Sequence, residues 1–147
     1  MRAKEYLMQV RLLDRRIAHK REEVEQLKDR AMGITSGLSG SGRVQSTPEA
    51  DKAGRIIARY VDLEREVEGM LVELCEKRDE IINTIHRLGD HRYVELLYLK
   101  YVRYMRLEEI ACTMKRADGQ PYSFRHILRL HGEALRALEK AIEEYSE

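Results

Sequence analysis

Two arginines spaced one helical turn apart, Arg125 and Arg129, are the side chains whose type and spacing most directly suggest chemistry. A helix rotates by about 100° per residue, so both arginines project from the same edge. The opposite edge carries the apolar residues Ile127, Leu130, Ala134 and Leu138. A guanidinium group can donate two parallel hydrogen bonds to O6 and N7 of guanine, so the exposed edge is suited to reading nucleic acid. On an isolated helix, the same arginines would be ordinary solvated side chains.

A shorter amphipathic segment precedes this helix and favours the nucleic-acid interpretation. It runs from Leu107 to Met114, and Ala111 within it is small enough to let two helices cross. A polar turn follows, and the long helix is predicted to run from Ser123 to about Tyr145. A bracing helix, a turn and a reading helix make up a helix-turn-helix, whose second helix lies in the major groove of duplex DNA.

The predicted DNA contacts come from the turn and from the exposed face of the long helix. The first turn of a reading helix reaches base edges, and its free amides attract phosphate. A glycine on an exposed helix lowers helix stability by about 1 kcal/mol relative to alanine. The presence of Gly132 therefore suggests that another backbone approaches it closely, where a side chain would not fit. The full predicted DNA-binding set is Arg106, Lys115, Arg116, Tyr122, Ser123, Phe124, Arg125, His126, Leu128, Arg129, Gly132 and Arg136.

The charge distribution indicates a local patch rather than a generally basic protein. The chain of 147 residues has a formal net charge of +1. Basic residues outnumber acidic ones between Arg92 and Arg129, whereas the segment after Arg129 is acidic. Any DNA binding must therefore use this local patch.

The first 89 residues predict two long helices with apolar stripes of coiled-coil type. The first helix is expected over residues 3–31, with Lys20 as a polar interruption, and the second is expected to begin at Pro48, after a Thr47 cap, and to end at Gly89. Between them, residues 33–48 are rich in glycine and are predicted to form a flexible loop. Two such stripes predict an antiparallel helical hairpin, or the same stripes pairing between chains.

The predicted fold class is therefore all-α, with a long N-terminal antiparallel hairpin over residues 1–89. A three-helix C-terminal helix-turn-helix domain follows over residues 90–147, and its first helix begins after the cap Asp90. Tyr98, Tyr101 and Tyr104 follow at helical spacing, so at least two of them should belong to the core rather than to a base-stacking cluster.

Catalytic and metal-binding functions are not expected. No Ser-His-Asp, Cys-His or metal-carboxylate arrangement has the required spacing, and the glycine-rich loop lacks the phosphate-binding pattern. We predict no enzyme activity, no catalytic residue, no metal site and no cofactor. Cys75 and Cys112 are predicted to be free, buried thiols of a reducing compartment. With no signal peptide and no membrane-spanning apolar run, the protein is expected to be cytoplasmic.

The residues also resemble a known family. Leu107–Ala111, Ser123–Ile127 and Ala134–Leu138 resemble region 4 of bacterial sigma factors, which recognises the promoter −35 element. The whole chain resembles a Gram-positive prophage family of unassigned function, with similar segments at Ala3–Leu7, Arg43–Ser46 and Tyr122–Gly132. By position, the resemblance places DNA contacts at Phe124, Arg125, His126, Leu128 and Arg129.

This chain also departs from the sigma-factor pattern. Its turn from Lys115 to Tyr122 exceeds the usual three or four residues, and the other sigma-factor regions are missing. The resemblance therefore implies an accessory, sequence-specific transcriptional regulator of phage or prophage type. It would bind duplex DNA, form a homo-oligomer through the N-terminal hairpin and contact RNA polymerase. Two alternatives remain: a DNA-recognition subunit of phage packaging machinery, and a coiled-coil structural adaptor that binds no nucleic acid.

Overall fold

The computed structural model describes residues 2–38 and 48–147. It is all-helical, as predicted, and the described residues contain no β-strand beyond one isolated bridge. The helices are α1 (Ala3–Leu38), α2 (Pro48–His86), α3 (His91–Leu97), a π-helical turn (Tyr98–Val102), α4 (Leu107–Thr113) and α5 (Phe124–Ser146).

By packing, the chain divides into two units. The terminal unit comprises the residues up to Leu13 together with Leu74–Glu147, and the middle unit comprises the described residues between Asp14 and Glu73. The two long helices α1 and α2 contribute to both units. The predicted boundary between residues 89 and 90 falls in the short connection between α2, which ends at His86, and α3, which begins at His91. The division into domains at this point stays a prediction.

In the middle unit, α1 and α2 are joined by apolar burial and by two ion pairs. Lys20, which interrupts the apolar stripe of α1, places its Nζ 2.9 Å from Oε2 of Glu66 on α2. Nζ of Lys28 lies 2.7 Å from Oε1 of Glu64. The buried apolar side chains of this unit are Ile17, Val24, Ala31, Ala53, Leu63 and Val67.

The glycine-rich segment is helical further than the sequence predicted. The prediction of a loop is wrong for residues 33–38, because α1 continues to Leu38. Each residue added to an existing helix gains a backbone hydrogen bond, and the formed turns have already met the cost of nucleation, so isolated glycines are tolerated. The rest of the predicted loop and the predicted cap at Thr47 lie outside the described residues. Pro48 is the first residue of α2, as predicted.

The terminal unit is built around α5. Both α3 and α4 contact it, and the π-helical turn contacts α3 and α4. The hydroxyl of Tyr6 on α1 donates to Oε1 of Glu80 on α2 at 3.1 Å and bonds Oγ1 of Thr84 at 3.0 Å. The fully buried core side chains of this unit include Leu7, Ile81, Ile85, Leu96, Leu97, Ile110, Met114, Ile127, Leu130 and Leu138.

The segment after α3 departs from ordinary helix geometry. Asp90 caps α3, as predicted, by accepting a hydrogen bond of 2.9 Å from the backbone N–H of Arg92. At Tyr98 the helix widens into the π-helical turn, and Tyr104 then adopts a φ of 57°. The widened turn changes which side chains face the core. Tyr101 is 3 % exposed, whereas Tyr98 and Tyr104 are only half-buried, so the prediction that at least two of these tyrosines belong to the core is wrong.

Cys75 and Cys112 are free but exposed, so the prediction that they are buried is wrong. Each lies next to a buried neighbour on its helix, Leu74 or Ala111, and a shift of one residue along a helix is enough to turn a side chain from the core to the solvent.

Among the described residues, no helix combines the length and the apolar character that a bilayer crossing requires.

Candidate nucleic-acid interface

The orientation of α5 is fixed at its start and along its buried face. The hydroxyl oxygen of Ser123 accepts a hydrogen bond of 3.1 Å from the backbone N–H of His126, which caps the helix. The apolar stripe predicted for this helix is buried, at Ile127, Leu130, Ala134 and Leu138. Because α3 and α4 both pack on α5, the opposite face of the helix is turned outward.

Three arginines lie on this outer face. Arg125, Arg129 and Arg136 are all exposed, and the side chain of Arg129 is 69 % exposed. Its Nε lies 3.9 Å from Oε1 of Glu133, at the outer limit of an ion pair. Glu133 also accepts a hydrogen bond of 3.2 Å from the hydroxyl of Tyr93, which anchors its carboxylate on α3. An exposed ion pair of this length contributes little to stability, so Arg129 can exchange its contact with Glu133 for a contact with a ligand at low cost.

Apolar side chains lie beside the arginines at the start of α5. Phe124 and Leu128, one turn apart, are 43 % and 45 % exposed. Large apolar side chains on an exposed helix face remain in contact with water until a ligand covers them, and covering them is favourable. In a major groove, the methyl group of thymine is an apolar contact of this kind. The first two turns of α5 therefore present both guanidinium and apolar groups.

The long turn between α4 and α5 is a compact, hydrogen-bonded structure. An isolated antiparallel bridge joins Lys115 to Pro121, and the backbone N–H of Arg116 donates to the carbonyl of Gln120 at 2.8 Å. The N–H of Gly119 donates to the carbonyl of Arg116 at 2.9 Å, and a carboxylate oxygen of Asp118 accepts from the N–H of Gln120 at 3.0 Å. Gly119 has a φ of 81°, a conformation that side chains with a Cβ rarely adopt. The additional residues of this turn are therefore held by hydrogen bonds within the turn itself.

A cleft of about 370 Å³ lies beside this turn. Four residues of the predicted set line it: Lys115, Arg116, Tyr122 and His126. The rings of Tyr122 and His126 meet edge to face, with centroids 4.9 Å apart. The cleft is thus bordered by basic and aromatic groups, together with the carboxylate of Glu95.

His91 and Arg92, at the start of α3, line the same cleft and were not in the predicted set. Arg92 holds both oxygens of Asp90, through Nε at 3.2 Å and Nη2 at 2.8 Å. This hydrogen bonding to Arg92 holds the pKa of the Asp90 carboxyl below its usual value. The sequence offered one signal for Arg92, its place at the beginning of the basic segment, but the approach of α3 to the turn is a tertiary contact.

The remaining predicted residues have different surroundings. Arg106 is the exposed N-cap residue of α4 and does not line the cleft. At Gly132, the nearest atom to a built Cβ is Nη1 of Arg136, at 4.0 Å, so no other backbone approaches it within the described chain. Close approach by a ligand backbone stays a prediction. Of the twelve predicted residues, Tyr122, His126 and Gly132 are half-buried and the others are exposed.

Comparison of this chain with protein-family models, with curated proteins and with solved structures finds no match.

Proposed function

We propose that this protein is a sequence-specific, duplex DNA-binding transcriptional regulator of phage type. In this proposal, α4 and α5 are the bracing and reading helices of a helix-turn-helix that resembles region 4 of sigma factors. The observation that carries the proposal is the outer face of α5, where Arg125 and Arg129 are exposed on a helix that α3 and α4 hold in a fixed orientation.

The proposed contacts divide into base reading and phosphate binding. Arg125 and Arg129 read base edges, and Phe124 and Leu128 supply the apolar contacts. Phosphate contacts come from exposed cations beside the reading helix, which position the protein without specifying sequence. These cations are Arg106, Lys115, Arg116 and Arg136.

A single such module binds weakly at physiological salt, so we propose that the protein acts as a homo-oligomer. The long helices α1 and α2 would form an antiparallel, coiled-coil-like hairpin that joins the copies. The ion pairs Lys20–Glu66 and Lys28–Glu64 support the pairing of the two helices. Contact with RNA polymerase and a cytoplasmic location belong to the same proposal.

A random pool of duplexes, selected for binding to the full chain, tests the proposal directly. Once a site is known, Arg129→Ala should weaken specific binding by about tenfold or more, since a bidentate arginine–guanine contact contributes about 1–3 kcal/mol of discrimination. Arg78→Ala is the matched control, because Arg78 is exposed on α2 and lies outside the proposed interface. Unchanged affinity of a folded Arg129→Ala protein would reject α5 as the reading helix.

The mass of the DNA-bound assembly distinguishes transcriptional regulation from packaging. A symmetric dimer would bind half-sites about 34 Å apart or at multiples of that distance. A closed ring of about eight or more subunits would instead favour a packaging subunit. Failure to retain any duplex at low salt, where phosphate contacts are strongest, would favour a structural adaptor.

A further inference from the structure

A second pocket, of about 310 Å³, lies in the terminal unit and shares no residue with the proposed DNA interface. Four helical elements meet there: the start of α1, the π-helical turn, α4 and α5. The pocket is at the small end of the range for ligand sites, which begins at roughly 300 Å³. The lining residues are Lys4, Met8, Arg11, Lys100, Tyr101, Leu107 and His131.

Three cationic side chains border this pocket, and its lining includes no carboxylate. Lys4 and Arg11 come from α1, and Lys100 comes from the π-helical turn. Within the described part of the chain, neither lysine forms an ion pair. The guanidinium carbon of Arg11 lies 5.6 Å from the ring centroid of Tyr104, so its contact is with an aromatic face rather than with an acid. A bound anion would supply the counter-charge that the lining of the pocket lacks.

A hydrogen-bonded polar pair, Tyr101 and His131, also lines the pocket. The hydroxyl of Tyr101 and Nε2 of His131 are 2.8 Å apart, and their rings stack with centroids 5.8 Å apart. Burial raises the pKa of Tyr101 to about 12. Burial, and then the positive charges of Lys100 and Lys4, lower the pKa of His131. The charges of the two lysines therefore act at the same point of the pocket.

We propose that this pocket binds a phosphate group, either as free phosphate or as the monoester of a small molecule. Three cations from two elements match a compact dianion better than a monocarboxylate. Arg11 can donate two parallel hydrogen bonds to phosphate oxygens, and a lysine acts as a point charge toward them. Met8 and Leu107 form an apolar wall that a small organic substituent would cover. The ligand would connect α1 with the π-helical turn and α5.

The proposal is tested by thermal unfolding of the full chain at constant ionic strength, balanced with chloride. The probes are inorganic phosphate, phenyl phosphate and benzoate. A ligand that binds only the folded chain raises the unfolding midpoint, and we expect an increase of about 4 °C or more at saturation with either phosphate compound. Tighter binding of phenyl phosphate than of phosphate would identify a monoester site, and equal binding would identify a site for free phosphate.

Phosphate also stabilises folded proteins in general, so variants must separate the two effects. Lys100→Gln removes one cation of the pocket, whereas the control Lys140→Gln removes an exposed lysine of α5 outside it. We expect the specific increase to persist in Lys140→Gln and to be lost in Lys100→Gln. If Lys100→Gln does not fold, Arg11→Gln serves the same purpose. A second readout is the imidazole of His131, whose pKa, followed by NMR, should rise when phosphate binds.

Three results would overturn this proposal. The first is an equal midpoint increase in the parent chain and in Lys100→Gln, which would reflect general salt stabilisation. The second is an equal response to benzoate, which would exclude selectivity for phosphate. The third is loss of duplex DNA affinity in Lys100→Gln without any phosphate response, which would make the pocket a DNA-backbone contact. Because no residue of the pocket belongs to the DNA interface, Arg129→Ala should leave the phosphate response unchanged even if the DNA proposal fails.

Discussion

The hydroxyl of Tyr101 and Nε2 of His131 are joined by a hydrogen bond of 2.8 Å, which ties the π-helical turn to α5. Tyr101 is 3 % exposed, so this bond satisfies a hydroxyl that water barely reaches. A buried polar group without a partner is costly, and the pairing therefore fixes how the two elements pack. Both partners also line the pocket for which we propose phosphate binding.

Folding stability should depend on the protonation of His131. Its pKa is lowered below 6.5 in the folded chain, so the unfolded chain takes up the proton more readily. The contribution of this group to the free energy of unfolding is therefore complete above pH 6.5 and is lost as the pH falls through the folded-state pKa. The charged or titratable groups around His131 are Tyr101, Lys100, Lys4 and Arg11.

His131→Gln removes this titration while keeping a side chain that can hydrogen-bond to Tyr101. The measurement is urea unfolding of both proteins between about pH 5 and pH 7.5. We expect the stability advantage of the parent chain over the variant to shrink toward the acid end. A difference that stays constant over this pH range would contradict the role assigned to His131.

The cap of α5 should contribute measurably to stability. Ser123→Ala removes the oxygen that accepts from the N–H of His126, and we expect a loss of about 1 kcal/mol in the free energy of unfolding. Ser146→Ala is the matched control, because its hydroxyl donates to the carbonyl of Ile142 at the other, exposed end of the same helix. Equal costs for the two substitutions in urea unfolding would show that the cap does not hold the start of α5.

Gly132 separates a stability effect from a binding effect. A Cβ at this position would meet only the far end of Arg136, at 4.0 Å, so Gly132→Ala should stabilise the helix by about 1 kcal/mol. If DNA approaches this part of α5, the same substitution should weaken duplex binding. Thermal unfolding and a binding titration on one protein preparation measure both effects. Greater stability with unchanged affinity would show that no ligand backbone comes near Gly132.

Lys20 should be replaceable by an apolar residue with a gain in stability. It lies on the apolar stripe of α1 between Ile17 and Val24, and its side chain is 32 % exposed. Its pair with Glu66 is exposed to solvent and contributes little to stability, whereas a leucine buried there contributes about 1.5 kcal/mol or more. We therefore expect Lys20→Leu to raise the unfolding midpoint.

The control for Lys20 is Arg15→Leu, which also replaces a basic residue of α1 by leucine but at an exposed position on the side of the helix opposite Val24. We expect no increase in its unfolding midpoint. If both leucine variants unfold at the same temperature, the position of Lys20 on the stripe has no special effect. Sedimentation of both variants checks that neither change alters the number of associated chains.

Periodicity and capping chemistry were sufficient to predict α5 and its buried face. The buried residues Ile127, Leu130, Ala134 and Leu138 repeat at intervals of three and four, and Ser123 has the residue type of a cap. The same reasoning predicted the cap Asp90 and the start of α2 at Pro48. These features are local, and each depends on residues within one or two turns of each other.

Periodicity failed where the helix departs from its usual geometry. Leu99 and Val102 are buried in addition to Tyr101, because the π-helical turn changes the angle between successive side chains. No residue type is specific to a π-helical turn, and the positive φ of Tyr104 is equally hard to predict from sequence. The surroundings of His91 and Arg92 at the cleft depend on the packing of α3 beside the turn, which no local pattern encodes.

The π-helical turn also makes one position of the chain tolerant of a change in length. A π turn holds one residue more than the corresponding α turn, because its hydrogen bonds span five residues instead of four. Deleting one residue between Tyr98 and Val102 can therefore leave the flanking segments in register, whereas a deletion inside α3 would rotate Val94 and Leu97 away from the core. Among natural variants of this chain, we expect single-residue deletions to be more frequent at this turn than within α3.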